Sequence, residues 1–410
     1  MAAVEKQPSF CQTIIANRDA GQVIDQTAWV YQGDISHLDP KKLMADLGLV
    51  PGELDLIVGG PPCQAFSTSG RRRSLQDPRG TLLWQFLRFV DEIKPRFFLM
   101  ENVRGLMSAS VLHRPIHLRP ERGGNSLQTD EQPGSVIDLL LKDLSNDYRM
   151  DIFEVNAANY GAPQIRERVL FIGNREGKVV DFPIPTHGHT QEMQLQLLGD
   201  NASLLPFATL RDAIGNLKEE SPVILDFSPR KKSFLALVPP GSNWRSLPSD
   251  IAEASMGRAF HAKGGRSGWW RRLTYDLPSP TIVTMPNHAS TSLCHPTITR
   301  ALTLRECARI QEFPDTWVFC GSPLEQYEQV GNAVPVRLGI VVGVLLSNIL
   351  KTRLEIKEEA PRVRQVYLAS HIRTRRWFKD GKVLRWDDGG NNSTSDYGPP
   401  KTLRIERDRV

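Results

Sequence analysis

The sequence predicts an α/β protein built on a doubly wound, mostly parallel sheet, together with a smaller loop-rich domain. Residues 54–60 and 96–103 contain the apolar runs Leu-Ile-Val and Phe-Phe-Leu-Met, which are typical of buried strands, and residues 81–94 between them have helical spacing. A strand, a helix and a strand in succession indicate parallel pairing. Residues 175–295 have a weaker pattern and are rich in proline, glycine and basic residues, which indicates a separate loop-rich region.

The rest of the chain extends this alternation. Strands are also expected at residues 29–35, 151–157 and 169–174. The segment 302–313 has helical spacing, and Thr303 with Glu306 three residues later predicts a capping box at its start. Residues 331–350 form a second apolar helix, and the charged, glycine-rich stretch that follows is expected to be partly disordered.

Composition excludes several classes of protein. The chain is 40% hydrophobic and 24% charged, as globular proteins are, and no apolar run reaches the ~20 residues that a membrane span requires. Its first residues lack the apolar core of a secretion signal. The five cysteines have no CxxC spacing, so neither a disulfide framework nor a metal site is expected, and reduced thiols fit a cytoplasmic protein.

Basic residues are concentrated in short clusters, within a formal net charge of +5. The clusters are Arg71-Arg72-Arg73, Arg230-Lys231-Lys232 and Arg271-Arg272. Such clusters suit the phosphates of a nucleic acid, although solvated loop charges are an equally good interpretation of each one alone.

Two residues of chemical interest follow predicted strands. Cys63 lies in the segment 59–67, GGPPCQAFS, whose glycines and prolines take the chain abruptly out of a strand and leave the thiol at the rim of the sheet. Glu101 closes the next strand, so a carboxylate reaches the same edge. A thiol beside a proton-sharing carboxylate suits nucleophilic catalysis. The structural alternatives are a small buried hydrophobe and an ordinary capping glutamate.

A polar run enters the strand expected at 169–174. Gln164 is followed by Arg166 and Arg168, and alternate positions on a strand lie on one face of the pleat. Two fixed guanidinium groups suit phosphate or carbonyl oxygens. Surface ion pairing with Glu167 is the simpler alternative.

Together these segments resemble the cytosine-5 DNA methyltransferase family, and the resemblance runs in the family's order from about Val4 to Leu350. The matching pieces are GDI at 33–35, GGPPCQAFS at 59–67, DPRGTLLW at 77–84, FFLMENVRGL at 97–106, NYGAPQIRERV at 159–169, RALTLRECARIQEFPDTW at 300–317 and QVGNAVPV at 329–336. The order of the pieces carries the resemblance, because no single piece is decisive.

The resemblance implies a reaction on a cytosine that has been rotated out of duplex DNA. Cys63 would add to C6 of the base and activate C5, Glu101 would hold N3 and the exocyclic amine, and Arg168 would contact the base carbonyl. Arg166 and Gln164 would support the flipped nucleotide. The family's DNA-closing segment implies DNA contacts for Gln64, Ser67, Arg71, Arg72 and Arg73.

The resemblance also implies that S-adenosyl-L-methionine is the cofactor. Its binding residues would be Glu5, on the ribose hydroxyls, and Asp34, Ile35, Pro62, Leu82, Asn332 and Val334. The chain departs from the family because no strand with a Phe-x-Gly-x-Gly loop precedes Glu5. Truncation of the chain is the preferred explanation, and a small subunit that supplies the loop is the other.

The family's organisation implies four parts: a catalytic domain at 1–174, a target-recognition domain at 175–295, a segment at 296–350 that returns to the catalytic domain, and a tail at 351–410. Within the recognition domain, residues 261–272, including Arg271 and Arg272, and residues 284–292 are candidates for DNA contact. The tryptophans nearby are slightly more consistent with a small core.

Two other functions stay open on the sequence alone. A DNA-binding relative that has lost catalysis is favoured by the missing cofactor loop and opposed by the presence of Cys63, Glu101, Arg166 and Arg168. A transfer RNA enzyme is opposed by the long region 175–295, because an RNA enzyme gains specificity largely from splayed bases. The expected partner is double-stranded DNA, and the chain is otherwise expected to be monomeric, cytoplasmic as in bacteria, and associated with the nucleoid.

Overall fold

The computed structural model describes most of the chain. The described residues are 1–21, 23–62, 81–188, 204–262, 267–351 and 361–368, with the backbone of 377–379, 382–384 and 406–408. The predictions made for Cys63, Gln64, Ser67, Arg71, Arg72 and Arg73 lie outside these residues.

The strands form one large sheet and two small ones. They are β1 Ala2–Glu5, β2 Trp29–Gln32, β3 Leu56–Gly59, β4 Phe97–Val103, β5 Arg149–Asn156, β6 Glu167–Asn174, β7 Val363–Tyr367, β8 Trp377–Lys379, β9 Lys382–Leu384 and β10 Glu406–Asp408. The large sheet has the order β10-β7-β5-β6-β4-β3, in which β3, β4, β5 and β7 run in one direction and β6 and β10 in the other. β1 and β2 form a parallel pair, and β8 and β9 an antiparallel one.

Ten α-helices connect the strands of the described chain. They are α1 Pro8–Asp19, α2 Pro40–Asp46, α3 Leu82–Ile93, α4 Ser135–Asp143, α5 Leu210–Ile214, α6 Pro229–Leu235, α7 Ser249–Met256, α8 Leu304–Ile310, α9 Pro323–Asn332 and α10 Val336–Lys351. The predicted capping box is confirmed, because the Thr303 hydroxyl accepts from the Glu306 amide at 3.0 Å and the Glu306 carboxylate accepts from the Thr303 amide at 2.8 Å.

Helices cover both faces of the large sheet, which confirms the doubly wound α/β architecture. On one face, Phe98 and Met100 of β4 pack with apolar residues of α3 and α4. On the other, Phe97 of β4 and Phe153 of β5 pack with Leu338 and Leu346 of α10. Because both faces are buried, the strands need continuous apolar sequence, and this is why the sequence shows runs rather than alternation.

The region 175–295 has a core of its own and shares a second one. Phe227, Leu235, Met256 and Trp270 form a buried cluster, so this tryptophan is a core residue, which agrees with the preferred prediction. A second cluster joins parts of the region, such as α5, to α8 and α9. The boundaries of the domains stay a prediction.

Two features concern the carboxyl-terminal half. Within the described residues, no single helix is long and apolar enough to cross a membrane; α9 and α10 pass the length and composition test only as a pair, bent by 46°. The tail was expected to be partly disordered, but Val363–Tyr367 pairs in parallel with β5 over five residues. This strand was not predicted, because the tail is rich in charged residues.

Candidate active site

A carboxylate and a guanidinium meet across the ends of β4 and β6. The Arg168 Nε lies 2.5 Å from the Glu101 Oε1, and the two side chains are 10% and 18% exposed. In the antiparallel ladder, Val103 of β4 is paired with Arg168, so Glu101 and Arg168 lie on the same face of the sheet, near the end of the ladder. The ion pair holds both groups in place and leaves a fraction of each exposed at the edge of the sheet.

The chain that leads to Cys63 passes directly over Glu101. A Cβ at Gly60 would lie 3.2 Å from the Glu101 Oε2, so only glycine approaches the carboxylate this closely without displacing it. Next to it, the Asn102 Nδ2 donates to the Pro61 carbonyl at 2.9 Å. Gly59 is required for another reason, because a Cβ there would lie 2.7 Å from the Phe86 ring. The chain that leaves β3 is therefore fixed against the end of β4 as far as Pro61, two residues before Cys63.

The two arginines of the polar run have different surroundings. Only Arg168 lies within β6, while Arg166 precedes the strand and is 2% exposed. The Arg166 Nη1 and Nη2 donate to the carbonyls of Ile282 and Gly331, each at 2.9 Å. Burial, then the nearby Arg168, lowers the pKa of Arg166 to about 9, so it remains a cation at neutral pH. This environment favours a positioning role for Arg166, and its predicted contact with the nucleotide stays a prediction.

Gln164 is fully buried in the same junction. Its Nε2 donates to the Gln311 Oε1 at 2.6 Å and to the Ile310 carbonyl at 3.1 Å. The Gln311 Nε2 in turn donates to the Val330 carbonyl at 2.7 Å. Gln164 thus connects the entry to β6 with α8 and α9, and the described structure leaves it no exposed face toward DNA.

Two predicted cofactor-binding carboxylates, Glu5 and Asp34, stand at or just after the ends of neighbouring parallel strands. Glu5 ends β1 and is paired with Gln32 of β2, two residues before Asp34. The Glu5 Oε1 accepts from the Gln7 amide at 2.7 Å, and the Asp34 Oδ2 accepts from the Lys6 Nζ at 2.8 Å. This bond from Lys6, followed by bonds from Ser36, holds the pKa of Asp34 well below its ordinary value. Both groups are carboxylates that could accept from hydroxyl or amine donors.

The other predicted cofactor residues come from several elements. Ile35 packs in a cluster with α2 and α3, and its carbonyl accepts from the Arg88 Nη2 at 2.8 Å. Pro62 and Leu82 are exposed apolar residues after β3 and at the start of α3. Asn332 is exposed at the end of α9, and Val334 packs against the sheet below α10. Acidic groups beside exposed apolar ones fit a ligand with hydroxyls and a flat ring.

The predicted DNA-contacting residues of the region 175–295 also differ in burial and in their hydrogen bonds. Arg272 is 5% exposed, and its Nη2 donates to the Leu235 carbonyl at 2.7 Å and to the Thr299 hydroxyl at 2.8 Å. These bonds favour a structural role for Arg272, whereas Arg271 is half-buried. In the segment 284–292, Met285 and His288 are exposed.

The roles of three residues of the site were not predicted from the sequence. Asn102 fixes the exit from β3, Gln311 links three segments, and Arg104 forms ion pairs beside Glu101 that are described below. Gln311 had a detectable signal, since a fully buried polar side chain follows the apolar face of Cys307, Ala308 and Ile310. Asn102 and Arg104 gave no signal separable from ordinary loop polarity.

Comparisons with known proteins agree with this geometry. The family model described as C-5 cytosine-specific DNA methylase matches residues 1–114 and 127–346. The chain belongs to this family. The Escherichia coli type II methyltransferase M.Eco47II is 34% identical over 350 residues, which are 83% of this chain and 71% of the relative. The Staphylococcus aureus type II methyltransferase M.Sau96I is 31% identical, over 85% of this chain and 70% of the relative.

A solved structure supports the fold of this family member. A prophage-encoded protein of Escherichia coli, described as a DNA modification methyltransferase, superposes with a TM-score of 0.53 at 21% identity and covers 86% of this chain and 92% of its own. The family's cofactor is S-adenosyl-L-methionine. The acidic and apolar residues at the ends of β1, β2 and β3 fit it.

Proposed function

We infer that this chain transfers a methyl group from S-adenosyl-L-methionine to C5 of cytosine in duplex DNA, as a type II modification enzyme. The observation that carries the proposal is the Glu101–Arg168 pair at 2.5 Å, beside the strand exit that leads to Cys63. The family match over most of the chain and the type II methyltransferases among its relatives favour this function over a transfer RNA enzyme. An association with nucleoid DNA and a cytoplasmic location stay predictions.

The residues of this edge have complementary tasks toward a flipped cytosine. The Cys63 thiolate forms a bond to C6, and the electrons of the C5–C6 double bond make C5 nucleophilic. The Glu101 carboxyl holds the base at N3 and the exocyclic amine, where a proton offsets the negative charge that the addition creates. Arg168, fixed by Glu101, donates to the base carbonyl.

The cofactor supplies an electrophilic methyl group when it is bound. Glu5 and Asp34 would hold its polar groups, while Ile35, Pro62, Leu82 and Val334 would contact its apolar parts. After C5 is methylated, loss of the C5 proton and release of the Cys63 sulfur from C6 restore the aromatic ring.

Recognition of the DNA sequence is assigned to the region 175–295. The segment 279–284 is attached to the entry of β6, because the Ile165 amide donates to the Ser279 carbonyl at 2.8 Å and the Thr281 hydroxyl donates to the Ile165 carbonyl at 2.7 Å. The exposed Met285 and His288 follow immediately. A loop attached to the active site in this way would carry base contacts to a fixed distance from the flipped nucleotide.

The proposal extends to a further partner. Among the described strands, β1 pairs only with β2, yet Val4 of β1 and Ile57 of β3 pack in one cluster with α2 and α3. A strand added between β1 and β3 would join the two sheets, and a small subunit is the partner proposed to supply it. The chain is otherwise proposed to act as a monomer.

A methyl-transfer assay tests the proposed function. The wild-type chain is incubated with tritiated S-adenosyl-L-methionine and either unmethylated genomic DNA or transfer RNA. We expect label in DNA at C5 of cytosine, and a loss of at least about 1,000-fold with Cys63→Ser, because a hydroxyl is a far weaker nucleophile than a thiolate. Label in transfer RNA alone, or full activity of Cys63→Ser, would contradict the proposal.

A further inference from the structure

A cluster of charged residues lies directly behind the Glu101–Arg168 pair. The Arg104 Nε is 2.9 Å from the Glu154 Oε2, and the Arg104 Nη1 is 3.3 Å from the Glu167 Oε2. Arg104 follows the last residue of β4, and Glu154 and Glu167 belong to β5 and β6. One guanidinium therefore connects three strands at the edge where the base-binding pair stands.

The register shows why this position matters. The β4–β6 ladder ends at the pair Val103 and Arg168, so Arg168 occupies the last paired position. Arg104 and Glu167 are the next two opposed residues, and their ion pair continues the contact where the backbone ladder stops. The last pairs of a ladder open most readily, and because Arg168 is also paired with Val155 of β5, an opening here would separate the end of β4, with Glu101, from Arg168.

The tail strand β7 completes the cluster. The Gln365 Nε2 donates to the Glu154 Oε1 at 2.9 Å, so Glu154 receives Gln365 on one oxygen and Arg104 on the other. The Arg104 guanidinium also lies over the Tyr367 ring, 5.4 Å from its centroid. The family match ends at residue 346, so β7 lies outside it.

β7 is firmly attached to the sheet. Its Arg364 Nε lies 2.7 Å from the Oδ1 of Asp151, a fully buried carboxylate on β5. Without β7 this carboxylate would lose one of its two buried cations, the other being Arg149, and the loss of a buried partner is unfavourable. The strand is thus part of the folded sheet and can hold Gln365 and Tyr367 in fixed positions.

We propose that Arg104 is a positioning residue for methyl transfer, and that strand β7 supports it through Gln365 and Tyr367. Arg104 acts through Glu167 and the end of β4 to hold Arg168 and Glu101 at the flipped base. The inference rests on the proposed function. Its physical basis is that a displacement of a fraction of an ångström between catalytic groups and substrate already slows a reaction markedly.

Steady-state kinetics test the proposal with the full chain. For Arg104→Gln we expect kcat to fall by about tenfold, while KM for DNA and for the cofactor stays within about twofold, because the positions of catalytic groups change and the binding surfaces do not. Arg104→Lys should recover part of kcat, and Gln365→Leu should lower it by about threefold. Arg114→Gln is the matched control, since Arg114 is paired with Glu131 in the loop beyond and should leave kcat unchanged.

Hydrogen exchange gives a readout that does not depend on turnover. Arg104→Gln should accelerate amide exchange in residues 165–170 and 101–104 and leave β3 unchanged, because only the end of the β4–β6 ladder opens. Unchanged kcat and unchanged exchange in Arg104→Gln would overturn the proposal, as would equal losses in Arg104→Gln and Arg114→Gln. A wild-type chain without turnover would count against the proposed function, and the exchange data alone would then decide on the cluster.

Discussion

The edge that would hold the base and the edge that would hold the cofactor are built differently. At the base edge, Glu101 and Arg168 come from adjacent strands of the large sheet and bond to each other at 2.5 Å. At the cofactor edge, Glu5 and Asp34 stand at or just after the ends of a separate pair of strands; Glu5 accepts from the Gln7 amide two residues on, and Asp34 accepts from the exposed Lys6.

This difference separates two kinds of organisation. Groups held by strands that are distant in sequence keep their geometry as long as the sheet is folded. Carboxylates held by bonds to exposed groups can exchange those bonds for a ligand at little cost. The base edge is therefore preorganised for chemistry, and the cofactor edge is poised to reorganise on binding.

Separate substitutions of Arg168 and Arg166 test the base edge most directly. Arg168→Gln should lower kcat by about 100-fold, because a charged donor to the base carbonyl is lost, while the thermal midpoint changes little. Arg166→Gln should lower the thermal midpoint by several degrees, since the buried carbonyls of Ile282 and Gly331 lose their donor at about 1–3 kcal/mol each. The measurements are kcat and thermal unfolding of both variants. A loss of kcat mainly in Arg166→Gln, with a loss of thermal stability mainly in Arg168→Gln, would contradict these roles.

Cofactor affinity tests the other edge. Because β1 pairs only with β2 among the described strands, we expect the chain alone to bind S-adenosyl-L-methionine with a Kd weaker than about 10 μM. Glu5→Gln should raise Kd by about tenfold further, as a charge-assisted hydrogen bond to a hydroxyl is lost. Asp19→Asn, an exposed carboxylate at the end of α1, is the control. Titration calorimetry that gives micromolar or tighter binding would remove the contrast between the edges.

Lowering the pH should slightly reduce the stability of the region 175–295. Burial lowers the pKa of His295, whose Nδ1 accepts from the amides of Thr297 and Ile298 while its Nε2 faces Tyr275 and Glu306. Arg300 and Arg272 lower this pKa further, and Glu306 opposes the shift.

The sign of the effect follows from linkage. A histidine with a lowered pKa in the fold binds its proton more readily when unfolded, so its contribution to stability is present above the ordinary pKa of 6.5 and declines as pH falls below it. The thermal midpoint should therefore fall between pH 7 and 5 by about 2 °C more in the wild type than in His295→Gln. Identical pH profiles of the two proteins would exclude this role of His295.

Much of the sheet could be predicted because its strands are buried on both faces. The runs at 54–60 and 96–103 became β3 and β4, and the expected strands at 151–157 and 169–174 became β5 and β6 with shifted ends. The strand expected at 29–35 is shorter, ending at Gln32. The tail strand was missed, since its residues alternate with charged neighbours and its pairing depends on a buried ion pair with β5.

The chemical groups of the site were easier to predict than the separate roles of Arg166 and Arg168. The resemblance to the family placed Glu101 and Arg168 in one site, whereas apolar runs did not reveal that β6 lies between β4 and β5 and runs antiparallel to both. The separation of Arg166 from Arg168 could not be predicted either, because β6 begins at Glu167 and the partners of Arg166 come from segments more than a hundred residues away. Local spacing carries no information about such contacts.

The bonds from Arg166 have a thermodynamic consequence. The Arg166 guanidinium donates to Ile282, in the stretch that leads into a candidate DNA-reading loop, and to Gly331, next to Asn332 and Val334, which are predicted to contact the cofactor. Occupancy of either ligand would then bias the same joint, so specific DNA should tighten cofactor binding by the factor by which cofactor tightens DNA binding. Discrimination between DNA sequences would thereby be expressed in saturation with the methyl donor as well as in the affinity for DNA.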